Sequence, residues 1–207
     1  MKAGHYIITL LAFFFASSIF GQAEAPAVKV DIKDVKVDSI ETPQINAANV
    51  PAKSWRPKKW MQMDVHFNVK KGKTNDTNPY VDSLEFKYFI SLNHVDPVTK
   101  KFILLTATIN YVNVSSKEIQ LHAMAFVSPA AIGRLLGKAD FTMADVKGIG
   151  IEVSHGGQLV GGHTEGAPGK WWEDLTKFSV VDGNLLPKYK TPFAPLWGDY
   201  DVNVKEQ

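Results

Sequence analysis

One stretch of the sequence, VSHGGQLVGGHTEGAPGKWWED, holds residue types that could do chemistry. Its histidines, His155 and His163, would be candidate metal ligands if the chain brought their rings together. A wide hairpin centred on Leu159 would set the two rings opposite each other. A tight turn at Gly156–Gly157 would instead place His163 opposite Gly150 and leave about five strand positions, roughly 16 Å, between the histidines.

We favour the tight turn, because paired glycines supply the positive φ that primed hairpin turns require. In that register the two histidines are too far apart to share a zinc ion, whose bonds to nitrogen are only about 2.0–2.1 Å long. No other histidine pair has the spacing of a metal-binding motif. We therefore expect no bound metal, and no motif calls for a cofactor.

Four of the five tryptophans are the candidate binding residues: Trp171, Trp172, Trp55 and Trp60. The adjacent pair could cover one end of the fold, anchor a protein partner or stack on a sugar. If the pair lies on a strand, the two side chains point to opposite sides, and at most one of them faces a ligand. The other two flank the basic letters RPKK, which could contact phosphates or acidic partners. With Lys53 the connector carries four positive charges, which are also ordinary in an exposed segment.

Catalytic residues are not indicated. The chain has no cysteine, no G-x-S-x-G motif and no phosphate-binding loop. Acidic side chains near the tryptophans, at Glu165, Glu173 and Asp174, could form a glycosidase-like pair, but acidic loop residues are usually solvated. His66 shares a predicted strand face with Asp64 and Asn68, which would allow a carboxylate–histidine pair, although the pattern favours a solvent-facing polar strip. We predict that the protein is not an enzyme.

The N-terminal residues predict export. An uncharged run at residues 6–20 is followed by small residues, and we expect a signal peptide at 1–23 that is cut after Ala23. The rival interpretation is an uncleaved anchor, but the run has fifteen residues and a spanning helix needs about 20. We therefore expect a periplasmic or secreted protein with no stable membrane span after cleavage. The remaining charges, 22 basic after removal of Lys2 from 23 against 21 acidic, do not call for nucleic acid.

Apolar residues alternate with polar ones along most of the chain, which predicts a mainly antiparallel β-sandwich with half-buried strands. A phase slip at Lys33–Asp34 predicts a bulge in the first strand. One short helix is predicted at 128–138, with Ser128 as its N-cap, Pro129 at its first position and Gly137 just after its end. The predicted domains are an N-terminal strand with a proline-containing connector at 24–59 and a sandwich at 60–207. The predicted strands are 28–40, 60–69, 83–92, 101–114 and 119–127, with a hairpin around Gly156–Gly157.

The passages TINYVNV, FVSPAAIGRLL and IEVSHGG resemble a group of exported immunoglobulin-like proteins of verrucomicrobial bacteria that are encoded near type IV pilus assembly genes. The resemblance covers about residues 60–165. It implies an immunoglobulin-like β-sandwich with one or two short helices. It also implies a non-catalytic role associated with a pilus or its assembly apparatus, and it assigns no catalytic residue.

Two functions follow from these observations. The first is an extracytoplasmic interaction module that binds a protein partner in the cell envelope, with strand 28–40 docked on its own domain or lent to a neighbour. The alternative is a carbohydrate-binding or carbohydrate-active protein that uses the Trp171/Trp172 loop. Inward-packed tryptophans with a free strand edge would favour the first, and a flat exposed tryptophan beside carboxylates would favour the second.

Overall fold

The computed structural model describes residues 27–45, 48–49, 51, 53–72 and 77–206. The predicted signal peptide at 1–23 lies outside these residues. Within the described part, no helix is both long enough and apolar enough to span a membrane.

Two β-sheets pack face to face, which confirms the predicted sandwich. The four-stranded sheet has the order β1-β2-β5-β9, and the five-stranded sheet has the order β7-β6-β3-β4-β8. All neighbours pair antiparallel except β4 and β8. The strands are β1 (Val28–Glu41), β2 (Lys59–Lys71), β3 (Tyr80–Val95), β4 (Phe102–Ser115), β5 (Leu121–Val127), β6 (Val146–His155), β7 (Gln158–Glu165), β8 (Phe178–Asp182) and β9 (Leu185–Pro187).

The core lies between the sheets and is formed by the alternating apolar residues of the central strands. In β2 every second residue from Met61 to Val69 is buried, and in β3 the same holds from Leu84 to Leu92. Period-two alternation therefore predicted the buried faces of both strands correctly. Tyr88 and Tyr111 are fully buried in this core, and their hydroxyls lie 3.0 Å apart. Burial raises the pKa of both phenols well above the ordinary value.

The α-helix α1 (Pro129–Leu136) carries the chain from the four-stranded sheet toward the five-stranded sheet. The Ser128 hydroxyl accepts a hydrogen bond from the Ala131 amide at 3.2 Å, and Pro129 occupies the first turn. Gly137 ends the helix with φ 67°, a left-handed conformation that favours glycine. The predicted cap, first turn and termination are all confirmed.

On one side of the sandwich the two edge strands β1 and β7 close against each other. β1 pairs with β2 along its whole length, with a bulge between Ile32 and Asp34, as the phase slip predicted. A Cβ on Gly161 of β7 would lie 2.6 Å from the Val30 oxygen of β1, so only glycine permits this approach. The first strand is thus docked on its own chain and contributes Val28, Val30 and Val37 to the core.

The hairpin between β6 and β7 turns at Gly156–Gly157, as predicted, with φ values of 56° and 80°. His155 pairs with Gln158, but a register shift after Ser154 sets His163 opposite Ile151. The expected pairing of His163 with Gly150 is therefore wrong by one residue. The extra residue of this bulge is Val160 of β7, next to the close approach of Gly161 to β1.

Candidate binding groove on the open side of the sandwich

The side of the sandwich opposite β1 and β7 is open along part of β4. β8 pairs with β4 only as far as Thr106. Pairing resumes at Asn110, whose carbonyl accepts a hydrogen bond from the Lys205 amide at 2.8 Å. In the described part of the chain, nothing pairs with this edge of β4 between those two residues.

Main-chain groups of Thr108 face this gap. In an antiparallel strand, alternate residues direct both their N–H and their C=O toward the same neighbour. The Asn110 carbonyl and the Val112 amide both hydrogen bond to residues 200–206, which we call the C-terminal segment. The main-chain groups of the even-numbered residues here therefore point away from β3. Thr108 therefore presents one donor and one acceptor that a partner strand can use.

A groove of about 480 Å³ surrounds this edge, and we call it the β4 groove. Its apolar wall comes from Ile109 of β4 and from Leu185 and Leu186 of β9. Three lysines and one carboxylate line it: Lys87, Lys190, Lys205 and Asp182. The Lys87 ammonium lies 3.5 Å from Glu85, whereas Lys190 and Lys205 have no carboxylate partner within the described residues. The β4 groove therefore combines an apolar wall with a positive rim.

The C-terminal segment holds one boundary of the groove in place. The Val202 amide donates to the His122 carbonyl of β5 at 2.9 Å, so this segment bridges the two sheets. Lys188 and Asp201 form an ion pair whose side chains are only 8% and 7% exposed. Breaking such a buried pair would leave an uncompensated charge. The intact pair therefore holds the C-terminal segment beside β9.

A second polar cluster ties the same segment to the outer face of the four-stranded sheet. Asp64 accepts a hydrogen bond from the Tyr200 hydroxyl at 2.7 Å, and its other oxygen lies 2.8 Å from His122 Nδ1. The His122 ring stacks between His66 and Tyr200, with centroid distances of 5.1 Å and 4.2 Å. Partial burial and the Asp64 carboxylate raise the Tyr200 pKa to about 12.

This cluster corrects the interpretation of His66, Asp64 and Asn68 as a plain solvent-facing strip. The Asp64 carboxylate pairs with His122 of the neighbouring strand β5. This is possible because His122 lies directly opposite His66, two residues after Asp64 on the same face of β2. Within the described residues, no group of three or more histidine, aspartate or glutamate side chains is arranged to hold a metal ion. Through Tyr200, the cluster holds the C-terminal segment against β2 and β5.

Trp171 and Trp172 occupy a 3₁₀ turn, Trp171–Glu173, on the outer face of the five-stranded sheet. Trp172 is 6% exposed and stacks on Phe89 at 4.9 Å. Trp171 is half-buried and contacts Trp172 edge-on at 5.4 Å. Because the pair lies in a 3₁₀ turn and not on a strand, the expectation for a strand does not apply, and both rings lie against the same sheet, over Gly148 and Gly150. Neither ring lies flat and exposed in a groove.

The other two tryptophan candidates differ in burial. Trp60 is half-buried, packs edge-on against Phe193 at 5.8 Å and donates to the Thr42 hydroxyl at 3.1 Å. Trp55 is 49% exposed in the connector. Of the four candidates, Trp55 is the most exposed, and its binding role stays a prediction.

The carboxylates beside the tryptophans are held by lysines. Glu173 lies 3.5 Å from Lys170, and Asp174 lies 2.8 Å from Lys177. Hydrogen bonds from Lys177 and Thr176 lower the Asp174 pKa to about 2. The Asp174 carboxyl therefore lacks the raised pKa that a general acid needs at neutral pH.

The β4 groove was not found from the sequence, because β8 and β9 were not predicted as strands. The sequence did carry a signal for both strands: the β-branched and aromatic letters FSVVD, a turn residue at Gly183 and the apolar letters LLP. No local pattern, however, shows that β8 is shorter than β4. The exposed edge depends on that difference in length.

A protein-family model matches residues 21–207, almost the whole chain. A crystal structure of a protein from Akkermansia muciniphila is similar, with 27% sequence identity and a TM-score of 0.74. The match covers 87% of this chain and 94% of that chain. No curated protein matches the sequence. These findings agree with the resemblance to verrucomicrobial proteins in fold and family, and they do not test gene neighbourhood.

Proposed function

Since the chain belongs to the family whose model matches residues 21–207, we propose that it is a non-catalytic, extracytoplasmic module that binds a protein partner in the cell envelope. Support for export comes from the uncharged run at residues 6–20. In this proposal strand 28–40 is an edge strand of its own sandwich, and residues 60–207 supply the rest of the domain.

The unpaired edge of β4 is the observation that carries the proposal. A partner segment in extended conformation can hydrogen bond to the Thr108 main chain and rest side chains against Leu185 and Leu186. The gap spans about three residues, or ~10 Å, so few main-chain bonds are made and the side-chain contacts must supply much of the affinity. The lysine rim favours a segment with acidic residues.

The carbohydrate alternative gains no support from the Trp171/Trp172 loop. Sugar stacking needs an open ring face, and Trp172 has one face against Phe89 and lies over Gly150. Lysines bind the nearby carboxylates. We therefore prefer a protein partner to a glycan.

The finer proposal is that the partner belongs to a type IV pilus or its assembly apparatus. This rests on the resemblance of TINYVNV and FVSPAAIGRLL to exported proteins encoded near pilus genes.

Site-specific photo-crosslinking in the native cell envelope tests the proposal. A benzoylphenylalanine at position 186, inside the β4 groove, should give one discrete adduct with an envelope protein. The same group at Val98, which is 86% exposed in a remote turn, is the matched control. An adduct formed equally from both positions, or from neither, would contradict the proposal. Mass spectrometry of the adduct then decides the pilus assignment separately.

A further inference from the structure

We propose that the cavity beneath Trp171 is a second binding site, for a small apolar molecule that carries a carboxylate. The cavity has a volume of about 390 Å³, within the range of small-ligand sites. It shares no lining residue with the β4 groove, and the inference does not depend on the proposed function. Its walls come from Gly166, Ala167, Pro168, Trp171, Phe178 and Ser91.

Two hydrogen-bond donors in the wall of this cavity have no partner. The Ser91 hydroxyl and the Trp171 indole N–H are both buried and unpaired within the described part of the chain. Ser91 is 1% exposed. A buried donor without an acceptor costs about 1–3 kcal/mol, so two at one cavity call for an explanation.

Both donors lie on the same surface of the sheet, around Gly148. Ser91 is the cross-strand partner of Gly148, and it shares the outer face of β3 with Phe89 two residues earlier. A Cβ at Gly148 would lie 3.1 Å from Trp171 Cζ2 and 3.5 Å from Cε2, the atom bonded to the indole nitrogen. The indole N–H therefore lies on the Gly148 side of the ring, close to the position of Ser91.

The charges at the cavity favour an anion. The Lys147 ammonium lies 3.7 Å above the Phe102 ring and has no carboxylate partner among the described residues. Lys177 also lines the cavity, where Asp174 neutralises it at 2.8 Å. The net charge is thus positive. A carboxylate can accept from both unpaired donors while its apolar body rests against the wall formed by Trp171 and Phe178, whose rings contact each other with centroids 5.4 Å apart.

Entry requires a small movement of Trp171. Both donor atoms are covered by neighbouring atoms, so the ligand must tilt the indole to reach them. Trp171 is suited to this, because it belongs to a 3₁₀ turn and is only half-buried, whereas Trp172 is buried on Phe89. Binding should therefore perturb the environment of Trp171 and leave that of Trp172 unchanged.

Fluorine NMR with 4-fluorobenzoate as the probe tests this inference on the mature protein. We expect saturable binding by 4-fluorobenzoate and weaker binding by 4-fluorotoluene, which has no acceptor. Ser91→Ala and Trp171→Phe should each weaken binding about tenfold or more, the loss expected for one hydrogen bond to a charged group. Leu175→Ala, in the same loop but with a side chain that is 58% exposed and outside the cavity lining, is the control and should leave binding unchanged.

Thermal unfolding separates a binding role from a structural one. Ser91→Ala removes an unpaired polar atom, so the variant without ligand should be at least as stable as the parent while its affinity falls. No saturable binding by the parent protein would overturn the inference. So would equal affinity for 4-fluorotoluene, or unchanged affinity in both Ser91→Ala and Trp171→Phe.

Discussion

Gly150→Ala should destabilise the protein by forcing Trp172 off the sheet. The added Cβ would lie 2.3 Å from Trp172 Cε3 and 2.4 Å from Cζ3. Normal carbon contacts are about 3.5 Å or longer, so the ring must move by about 1.2 Å. It cannot move freely, because its ring system packs on Phe89, Leu104 and Phe178.

Overpacking of this kind costs about 1–3 kcal/mol. For a domain of this size, 2 kcal/mol corresponds to a fall of about 4–8 °C in the melting temperature. Urea unfolding followed by tryptophan fluorescence measures the change. Gly133→Ala is the matched control: its Cβ meets only the Lys138 oxygen at 3.9 Å, and alanine should stabilise α1 by up to about 1 kcal/mol.

A double-mutant cycle tests the stated cause. If the methyl group acts through the Trp172 ring, Gly150→Ala should cost much less in a Trp172→Ala background, and the two changes should be strongly non-additive. Additive effects, or a Gly150→Ala variant as stable as the parent, would refute the packing of Trp172 against this glycine.

Three further predictions concern the core and the C-terminal segment. Tyr111→Phe removes the hydrogen bond to Tyr88 inside the core and should lower the free energy of unfolding by about 1–3 kcal/mol in urea titrations. The raised pKa of Tyr200 predicts a contribution that is fully present below about pH 10 and is lost as pH rises through about 12; Tyr200→Phe should remove this part of the alkaline loss of stability. Lys188→Met should cost about 3–5 kcal/mol, because it leaves the buried Asp201 carboxylate unpaired, and a stability equal to that of the parent would argue against the role of this ion pair in holding the C-terminal segment.

The elements with strong local patterns were predictable from the sequence. The bulge at Ile32–Asp34 follows from a slip in the alternation of apolar and polar residues. The start of α1 follows from Ser128, and its end follows from Gly137. The turn at Gly156–Gly157 follows from the conformational freedom of paired glycines. Each of these features is encoded within a few neighbouring residues.

Features that depend on contacts distant in sequence were not predictable. The pairing of Asp64 with His122 joins residues 58 positions apart, and no periodicity relates them. The register error at His163 came from a bulge in β7 beside Gly161, which approaches β1, a strand more than 100 residues earlier in the chain. β1 pairs with β2 over its full length within this chain, and the lending of strand 28–40 to a neighbour stays a prediction.

The most direct test of the central claim is to remove the main-chain donor of Thr108. Thr108→Pro deletes the N–H that faces the β4 groove, at an edge position where proline is tolerated. Thr108→Val keeps that N–H and removes only the hydroxyl. Affinity for the partner crosslinked from position 186 should fall about tenfold or more in Thr108→Pro, the equivalent of one lost hydrogen bond, and stay near the parental value in Thr108→Val. Equal affinity of the two variants, with both folded by circular dichroism, would contradict strand addition at β4.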